Sequence, residues 1–240
     1  IRIYFFFPWL NKQNKGHYVQ NVFDQVFNKY DLMNDIMSLG THRIWKKEFI
    51  NWMAPSNNKK LLDMACGSGD ITKLFIDSTK NSKVEAMDAN SKMISIGKKK
   101  LYKYKNIRWS VGRAEKLKFE SNIFDFYTIS FGLRNVADID KALKEAFRVL
   151  KPGGRFMCLE FSKIQNNYLN KIYQTYSKKI PKIGKLIVGD SKPYKYLIDS
   201  IENFYNQEEL INLLKINNFY KTEYRNLNGG VVAIHSGWKI

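Results

Sequence analysis

The chain has 240 residues, 44% of them hydrophobic and 15% aromatic, which is enough to bury the core of one globular domain. No apolar run approaches the roughly 20 residues of a membrane-spanning helix, so the sequence argues against an integral membrane protein. The formal net charge is +18, but only eight of the 40 basic residues are arginine and 32 are lysine, whereas proteins that read nucleic-acid sequence rely on arginine. We interpret most lysines as a solvated surface, with attraction to anionic lipid or nucleic acid as the alternative.

The chain begins with an apolar stretch that is too short to span a membrane, and we expect residues 1–17 to form an N-terminal arm or the remnant of a targeting segment. From residue 18 to about residue 53, apolar positions recur at helical spacing, with a break at Gly40 and a restart after Thr41, a good N-cap. Helices that precede the first strand cannot be crossovers. We therefore expect residues 18–58 to cover a sheet edge or to form a lid over the ligand cleft, with a simple packing extension as the alternative for most of these residues.

The middle of the chain alternates between strand and helix patterns. Apolar runs predict strands at residues 61–65, 84–88, 107–111, 124–131 and 155–161. Helical spacing predicts helices that begin near residue 71, at Ser91 as the N-cap, and at residues 139–150. Such alternation is typical of an α/β fold, a doubly wound and mostly parallel sheet with right-handed crossovers.

Residues 165–203 interrupt this alternation. An apolar stripe along residues 169–180, flanked by lysines, predicts a helical insert. A helix at residues 207–216 and strands at 219–224 and 231–235 follow, and Gly229 with Gly230 predicts an antiparallel terminal hairpin between those strands. The complete prediction is a single domain over residues 18–240 with a seven-stranded, Rossmann-like sheet.

The cysteines and histidines do not indicate a metal site. Cys66 and Cys158 both lie in apolar strand contexts, where cysteine is usually a small buried hydrophobic residue. His17, His42 and His235 are far apart in the sequence, and none has a second candidate ligand nearby. We expect no metal and no disulfide framework.

A glycine-bearing turn follows the first predicted strand. Gly67 and Gly69 allow the backbone to approach a ligand, at the carboxyl edge where open parallel sheets bind ligands. A dinucleotide fold expects a third glycine where this chain has Thr72. An S-adenosylmethionine fold expects an acid four residues before the first glycine, where Asp63 lies, and Asp88 is at the right distance to accept hydrogen bonds from a ribose. We favour the second interpretation, in which Asp63 supplies charge near the ligand's ammonium; a helix-capping or turn carboxylate is the alternative.

Several runs along the chain carry a more specific signature. They are residues 22–24, 29–35, 37–40, 42–46, 130–136, 148–155, 159–163, 189–190, 194, 196–197, 200–201 and 230–235. Together they closely resemble the ubiquinone/menaquinone-biosynthesis C-methyltransferase family over about residues 18–240. The run 131–135, Phe-Gly-Leu-Arg-Asn, is much more specific to the family than the glycine turn is. The amino-acid sequence of residues 159–163 and of the insert resembles the mitochondrial ubiquinone branch more closely than the bacterial one.

This resemblance implies methyl transfer from S-adenosylmethionine to a ring carbon of a polyprenyl benzoquinol such as 2-methoxy-6-polyprenyl-1,4-benzoquinol. Positioning and electrostatics would supply most of the rate. The family's motif assigns cofactor contacts to Thr72, Asp88, Arg113, Ala114 and Ser130, and Asp63, Gly67 and Gly69 complete the cradle on structural grounds.

The resemblance also implies the residues that meet the quinol. Arg134 would stabilise the developing phenolate and help the ring proton to leave through a water molecule; the alternative is an ion-pair partner for an acid such as Asp138. Asn135 and Tyr30 would orient the ring, although Tyr30 could equally belong to the core. Arg113 departs from the family, which usually has Asp or Asn there to meet the adenine amino group, because arginine cannot accept a hydrogen bond.

A polyprenyl tail needs an apolar route, and the stripe along 169–180 suits a helix at a membrane surface or along a tail groove. A helix packed on the sheet or on a second subunit of a homodimer is the alternative. We expect a peripheral protein on the matrix side of the mitochondrial inner membrane, in contact with a quinone-biosynthesis enzyme complex and not with nucleic acid. The alternative functions are a cofactor-binding scaffold subunit of that complex, another small-molecule methyltransferase of this fold, and, third, a nucleic-acid methyltransferase.

Overall fold

The computed structural model describes residues 40–166 and 192–240, together with Asp35, Ser38, Tyr168, Lys171, Tyr173 and Thr175. The predicted N-terminal arm, the helix predicted from residue 18 and Tyr30 lie outside the described residues. So do most of the apolar stripe along 169–180 and the motif at 189–190.

Seven strands and six α-helices make up the described part of the chain. The strands are β1 (Lys60–Met64), β2 (Lys83–Asp88), β3 (Ile107–Val111), β4 (Phe124–Ser130), β5 (Leu150–Phe161), β6 (Tyr220–Leu227) and β7 (Val232–Trp238). The helices are α1 (His42–Met53), α2 (Asp70–Asp77), α3 (Ser91–Lys100), α4 (Ile139–Val149), α5 (Lys192–Glu202) and α6 (Gln207–Ile216), with 3₁₀ turns at Leu133–Asn135 and Asn228–Gly230.

All seven strands belong to one sheet with the order β3-β2-β1-β4-β5-β7-β6. The pairs from β3 to β5 are parallel, whereas β7 is antiparallel to both β5 and β6. This topology confirms the predicted fold class and the antiparallel terminal hairpin. The strand order reverses between β1 and β4, so the edge beyond Met64 and Ser130 is the expected position for a ligand.

Strand β1, in the centre of the sheet, is buried on both faces, as its continuous apolar run predicts. Leu61 and Leu62 are both fully buried, but Leu61 faces a core with α1, α2 and α5, and Leu62 faces a core with α4 and α6. Burial of one such side chain contributes about 1.5–3 kcal/mol, so neighbouring residues of β1 hold helices on opposite faces of the sheet.

Helix α1 packs on one face of the sheet beside α2. Trp45 contacts Phe131 and Phe161 with ring centroids 6.2 Å away in both cases, and its indole Nε1 donates to the Asn228 side chain at 2.8 Å. These contacts connect the first described helix to the ends of the strands, where the candidate site lies.

The predicted restart of the helix at Thr41 is confirmed, but neither Thr41 nor Ser91 provides the predicted side-chain cap. The backbone of Thr41 is already helical, at φ −74° and ψ −12°, and its hydroxyl donates to the Ser38 carbonyl instead of accepting from the helix. Ser91 is the first residue of α3, and the cap is Asn90, whose extended backbone lets its side chain accept from the amides of Lys92 and Met93. A cap needs a non-helical backbone, which neither predicted residue has at its helix start.

Strand β5 begins earlier than predicted, at Leu150 instead of Arg155. The amide of Gly153 donates to the carbonyl of Lys239 at 2.7 Å, and the amide of Lys239 donates to the carbonyl of Gly154 at 2.9 Å. The end of the chain thereby extends the pairing through the proline-glycine segment. None of the described helices is both long enough and apolar enough to cross a membrane.

Candidate active site

The glycine turn, defined as residues 65–69, joins the end of β1 to the start of α2. Ala65, Gly67 and Gly69 all have positive φ angles, of 54°, 56° and 86°. At Gly69 a Cβ atom would lie 2.7 Å from the ring of Trp109 and 3.0 Å from Leu101. Position 69 therefore requires glycine both for its backbone conformation and for space.

Asp63 lies beneath the glycine turn and is fully buried. Its Oδ2 accepts from the amide of Thr72 at 3.1 Å and from the Thr72 hydroxyl at 2.6 Å, and its Oδ1 accepts from the Thr128 hydroxyl at 2.9 Å. Burial raises the pKa of Asp63 to about 6, against the opposing effect of these hydrogen bonds. The contacts are those of a turn carboxylate that ties α2 to β4, and a direct ligand contact by Asp63 or Thr72 stays a prediction.

Asp88 ends β2 beside the glycine turn. Its Oδ2 accepts from the amide of Gly67 at 2.9 Å, and its Oδ1 accepts from the amide of Asn90 at 2.8 Å. Burial raises the pKa of Asp88, and the backbone hydrogen bonds oppose that increase. Each carboxylate oxygen has a second lone pair, so Asp88 can accept further hydrogen bonds from ligand hydroxyls while it holds the turn.

A cleft opens between the glycine turn and the end of β4. Its lining residues are Lys46, Asp63, Ala65, Cys66, Gly67, Ser68, Asp70, Ile71, Ser130 and Phe131. The Oγ of Ser130 is buried, and the described part of the chain gives it no hydrogen-bond partner. An unsatisfied buried hydroxyl is costly, so Ser130 is available to a ligand in this cleft.

Asp70, the first residue of α2, is held by two lysines from other helices. Lys46 Nζ lies 2.7 Å from Oδ2, and Lys100 Nζ lies 2.6 Å from Oδ1. Burial alone would raise the pKa of Asp70, but the charges and hydrogen bonds of the two lysines lower it strongly. The pair therefore surrounds an ionised carboxylate at the cleft.

Arg113 and Ala114 follow β3. The Arg113 side chain is half exposed, with Nε 3.6 Å from Oε2 of Glu115, and Ala114 is buried. The other Glu115 oxygen accepts from the amide of Ala137 at 2.9 Å. Glu115 is thus the acceptor that the structure places next to Arg113.

A second group, the arginine cluster, consists of Arg134, Asn135, Glu160, Tyr196 and Ser200. Arg134 Nη1 lies 2.7 Å from Oε1 of Glu160 and donates to the Phe131 carbonyl at 2.7 Å. Its Nε donates to the Ser200 hydroxyl at 3.3 Å. Both charged side chains are at least 95% buried, and burial raises the pKa of Glu160 against the effect of Arg134.

The ion-pair partner of Arg134 is therefore a buried glutamate and not Asp138, which was the alternative suggested by the sequence. Asp138 instead caps α4 by accepting from the amide of Lys141 at 3.3 Å. Asn135 Oδ1 accepts from the Tyr196 hydroxyl at 2.9 Å, so α5 contacts both residues of the 3₁₀ turn that were predicted to meet the substrate.

Sequence reasoning missed the roles of five residues: Lys46, Thr128, Glu160, Tyr196 and Ser200. All except Thr128 lie inside runs that carry the family resemblance, so the sequence marked these positions but did not show which residues they contact.

Cys66 and Cys158 are buried and unpaired, and burial raises the pKa of both thiols well above the usual range. The described residues include no group of three side chains suited to a metal ion.

Comparisons with known proteins place these features in context. Residues 11–239 match the ubiE/COQ5 methyltransferase family. The ubiquinone/menaquinone biosynthesis C-methyltransferase UbiE of Rickettsia bellii (strain OSU 85-389) is 47% identical over 244 residues, which cover 98% of either chain. The UbiE protein of Brucella canis is 44% identical over 243 residues, which cover 98% of this chain and 90% of the relative.

Solved structures share the fold at low sequence identity. A SAM-dependent methyltransferase from Thermotoga maritima aligns with a TM-score of 0.67 and 17% identity, covering 92% of this chain and all of that one. Phosphoethanolamine N-methyltransferase 2 of Haemonchus contortus, in complex with S-adenosyl-L-methionine, aligns with a TM-score of 0.61 and 14% identity, covering 81% of this chain and 52% of that one.

Proposed function

The chain belongs to the ubiE/COQ5 methyltransferase family, and from that premise we propose that it methylates a ring carbon of a polyprenyl benzoquinol in ubiquinone biosynthesis. It is an S-adenosylmethionine-dependent C-methyltransferase. The observation that carries the proposal is the 47% identity, over nearly the whole chain, to a named ubiquinone/menaquinone biosynthesis C-methyltransferase.

The residues of the cleft fit S-adenosylmethionine. Asp88 has free lone pairs for ribose hydroxyls, and Ser130 has a buried hydroxyl with no partner among the described residues. Gly67 and Gly69 have no side chains, so a ligand can approach the backbone of the turn at these two positions. We propose that Asp88 and Ser130 bind the cofactor directly, and that Asp63 and Thr72 support the turn from below.

The cofactor, when bound, supplies a methyl group that its sulfonium makes electrophilic. We propose that Arg134 stabilises the negative charge that develops on the quinol oxygen as its hydroxyl loses the proton. Glu160 and Ser200 fix the plane of the guanidinium through the contacts described above. Asn135 and Tyr30 are proposed to orient the ring. The ring proton leaves through water near Arg134, and the quinol oxygen regains the proton that its hydroxyl gave up, so that one proton is released for each methyl group transferred.

Calorimetric titration with S-adenosylmethionine, followed by mass spectrometry of a short-chain benzoquinol analogue incubated with enzyme and cofactor, tests this function. We expect binding and one added methyl group on a ring carbon. An Arg134→Lys variant should bind the cofactor as the wild type does and methylate much more slowly. Absence of binding at millimolar cofactor would leave the scaffold function, and binding without methylation of the quinol would indicate another small-molecule substrate.

The adenine end of the site is the part that Arg113 changes. Because arginine has no hydrogen-bond acceptor, we propose that the backbone of Ala114 or the carboxylate of Glu115 accepts from the adenine amino group. Glu115 lies beside Arg113, which supports this substitution of partners.

The finer parts of the proposal concern location and partners. We propose peripheral attachment to the matrix side of the mitochondrial inner membrane, in a quinone-biosynthesis complex and as a homodimer. The net charge of +18 and the polyprenyl tail of the proposed substrate support the membrane contact, and the sequence of residues 159–163 supports the mitochondrial location. The relatives named above are bacterial.

Fractionation of cells, protease protection of isolated mitochondria and light scattering of the purified protein test these points. Flotation with anionic liposomes tests the membrane contact separately. Protein that stays wholly in the soluble fraction, at low and high salt, would contradict peripheral attachment.

A further inference from the structure

Three charged side chains from three helices meet beside the glycine turn. Asp70 begins α2, Lys46 comes from α1, and Lys100 comes from α3, with one lysine on each carboxylate oxygen. Two cations therefore share one anion, which leaves an excess positive charge at the start of α2. The partial positive charge of the helix N-terminus adds to it, so the position favours an anion.

Of the two lysines in this group, Lys46 is the one that lines the cleft, together with Asp70. Only 11% of the Lys46 side chain is exposed, and the side chain of Lys100 is 38% exposed. A lysine ammonium has three N–H donors. Within the described part of the chain, Asp70 is the one hydrogen-bond acceptor of Lys46 Nζ, so this nearly buried ammonium has capacity for a further acceptor.

We infer that Lys46 binds the carboxylate of the methionyl part of the cofactor, an inference that rests on the proposed function. The ligand needs an anion-binding group in a cleft that otherwise contributes the carboxylates of Asp63 and Asp70. Lys46 keeps its contact with Asp70 and directs another of its three N–H donors toward the ligand's carboxylate, while Lys100 remains the second counter-ion of Asp70. The added contact is a charge-assisted hydrogen bond.

The simpler alternative is that Lys46 has only a structural role, in which its ion pair with Asp70 holds α1 against α2. A structural role would affect every ligand of the cleft in the same way, because it acts through the position of α1. Recognition of a carboxylate affects only ligands that carry one. Two ligands that differ in this group therefore separate the two roles.

The matched ligands are S-adenosylhomocysteine and its decarboxylated form, S-adenosyl-3-thiopropylamine, titrated calorimetrically into the protein. Lys46→Met keeps the aliphatic stem and removes the charge. We expect it to weaken S-adenosylhomocysteine binding roughly 10- to 100-fold and to change binding of the decarboxylated ligand by less than about twofold. Lys46→Arg should keep most of the preference for the carboxylate.

Lys73→Met is the matched control. It is the same substitution and also removes one positive charge, but at a residue of α2 that pairs with Asp77 at the surface. It should leave both affinities unchanged. If Lys46→Met weakens binding of both ligands equally, Lys46 has only the structural role. If it weakens binding of neither ligand, the inference is also overturned. Wild-type protein that binds neither ligand would instead refute the proposed function, so the two failures are distinguishable. Circular dichroism of each variant verifies the fold.

Discussion

The glycine turn and the arginine cluster lie at the same edge of the sheet but are held differently. At the turn, Asp88 accepts from the backbone amides of Gly67 and Asn90, which are 21 and 2 residues away. In the cluster, the buried charge of Arg134 depends on the side chains of Glu160 and Ser200, which are 26 and 66 residues away. The turn should therefore tolerate side-chain changes better than the cluster, because removing one charged side chain of the cluster leaves the other charge buried and unpaired.

The largest expected effect comes from breaking the buried ion pair. Glu160→Leu leaves the Arg134 guanidinium without its counter-ion at a site where both side chains are at least 95% buried. We expect the free energy of unfolding to fall by about 3–5 kcal/mol, measured by urea denaturation. Lys144→Ala, which removes an exposed pair with Asp140, serves as a control and should change stability by less than about 0.5 kcal/mol.

The double variant Arg134→Met/Glu160→Leu identifies the cause of that loss. Because no unpaired charge is then left inside, stability should return most of the way to the wild-type value. Additive losses in the double variant would mean that packing, and not the charge, sets the cost. The cluster would then resemble the glycine turn more closely than the contacts indicate.

At the glycine turn the expected effect depends on pH. The folded-state pKa of Asp63 is about 6, above the ordinary value of 3.8, so the folded protein holds this proton more tightly than the unfolded chain does. The resulting stability is fully present below pH 3.8 and is lost as pH rises through about 6. Relative to Asp63→Asn, which does not titrate, the wild type should lose roughly 2–3 kcal/mol between pH 4 and pH 7. A stability difference that is constant with pH would contradict the raised pKa.

A smaller effect is expected where the cluster meets α5. Tyr196→Phe removes the 2.9 Å hydrogen bond to Asn135 Oδ1, and we expect a loss of about 1 kcal/mol in stability. If this contact positions Asn135 for the ring, KM for a quinol analogue should rise while cofactor affinity stays the same. Tyr102→Phe, at a tyrosine that is 65% exposed, is the control and should change neither. An equal change in cofactor affinity would mean that the two ends of the site are coupled.

The smallest effect on the fold is expected at Arg113, whose pair with Glu115 is half exposed. Arg113→Asn should change stability by less than about 1 kcal/mol. Because we propose that the Ala114 backbone or Glu115 already accepts from the adenine amino group, cofactor affinity should change by less than about threefold. A three- to tenfold increase in calorimetry would contradict that proposal, because it would show that the amino group has no acceptor in the wild type until asparagine supplies one.

Much of the fold and of the glycine turn could be predicted from the sequence. The apolar run of β1, Gly67 and Gly69, and the helical spacing after them are local patterns, and strand alternation fixes which ends lie at one edge. Asp88 was predicted beside the turn for the same reason, and the structure places its carboxylate on the Gly67 amide. The caps at Thr41 and Ser91 were mistaken because residue type does not determine whether the backbone is already helical.

The sequence by itself determined the α/β fold, the position of the glycine turn and, through its family signature, the reaction, because these follow from local periodicity and from short specific runs. The tertiary structure alone decided that Arg134 pairs with Glu160, that Tyr196 contacts Asn135, and that Lys46 reaches Asp70. Partners of buried charges are selected by packing and desolvation between distant segments, and linear spacing contains no information on either.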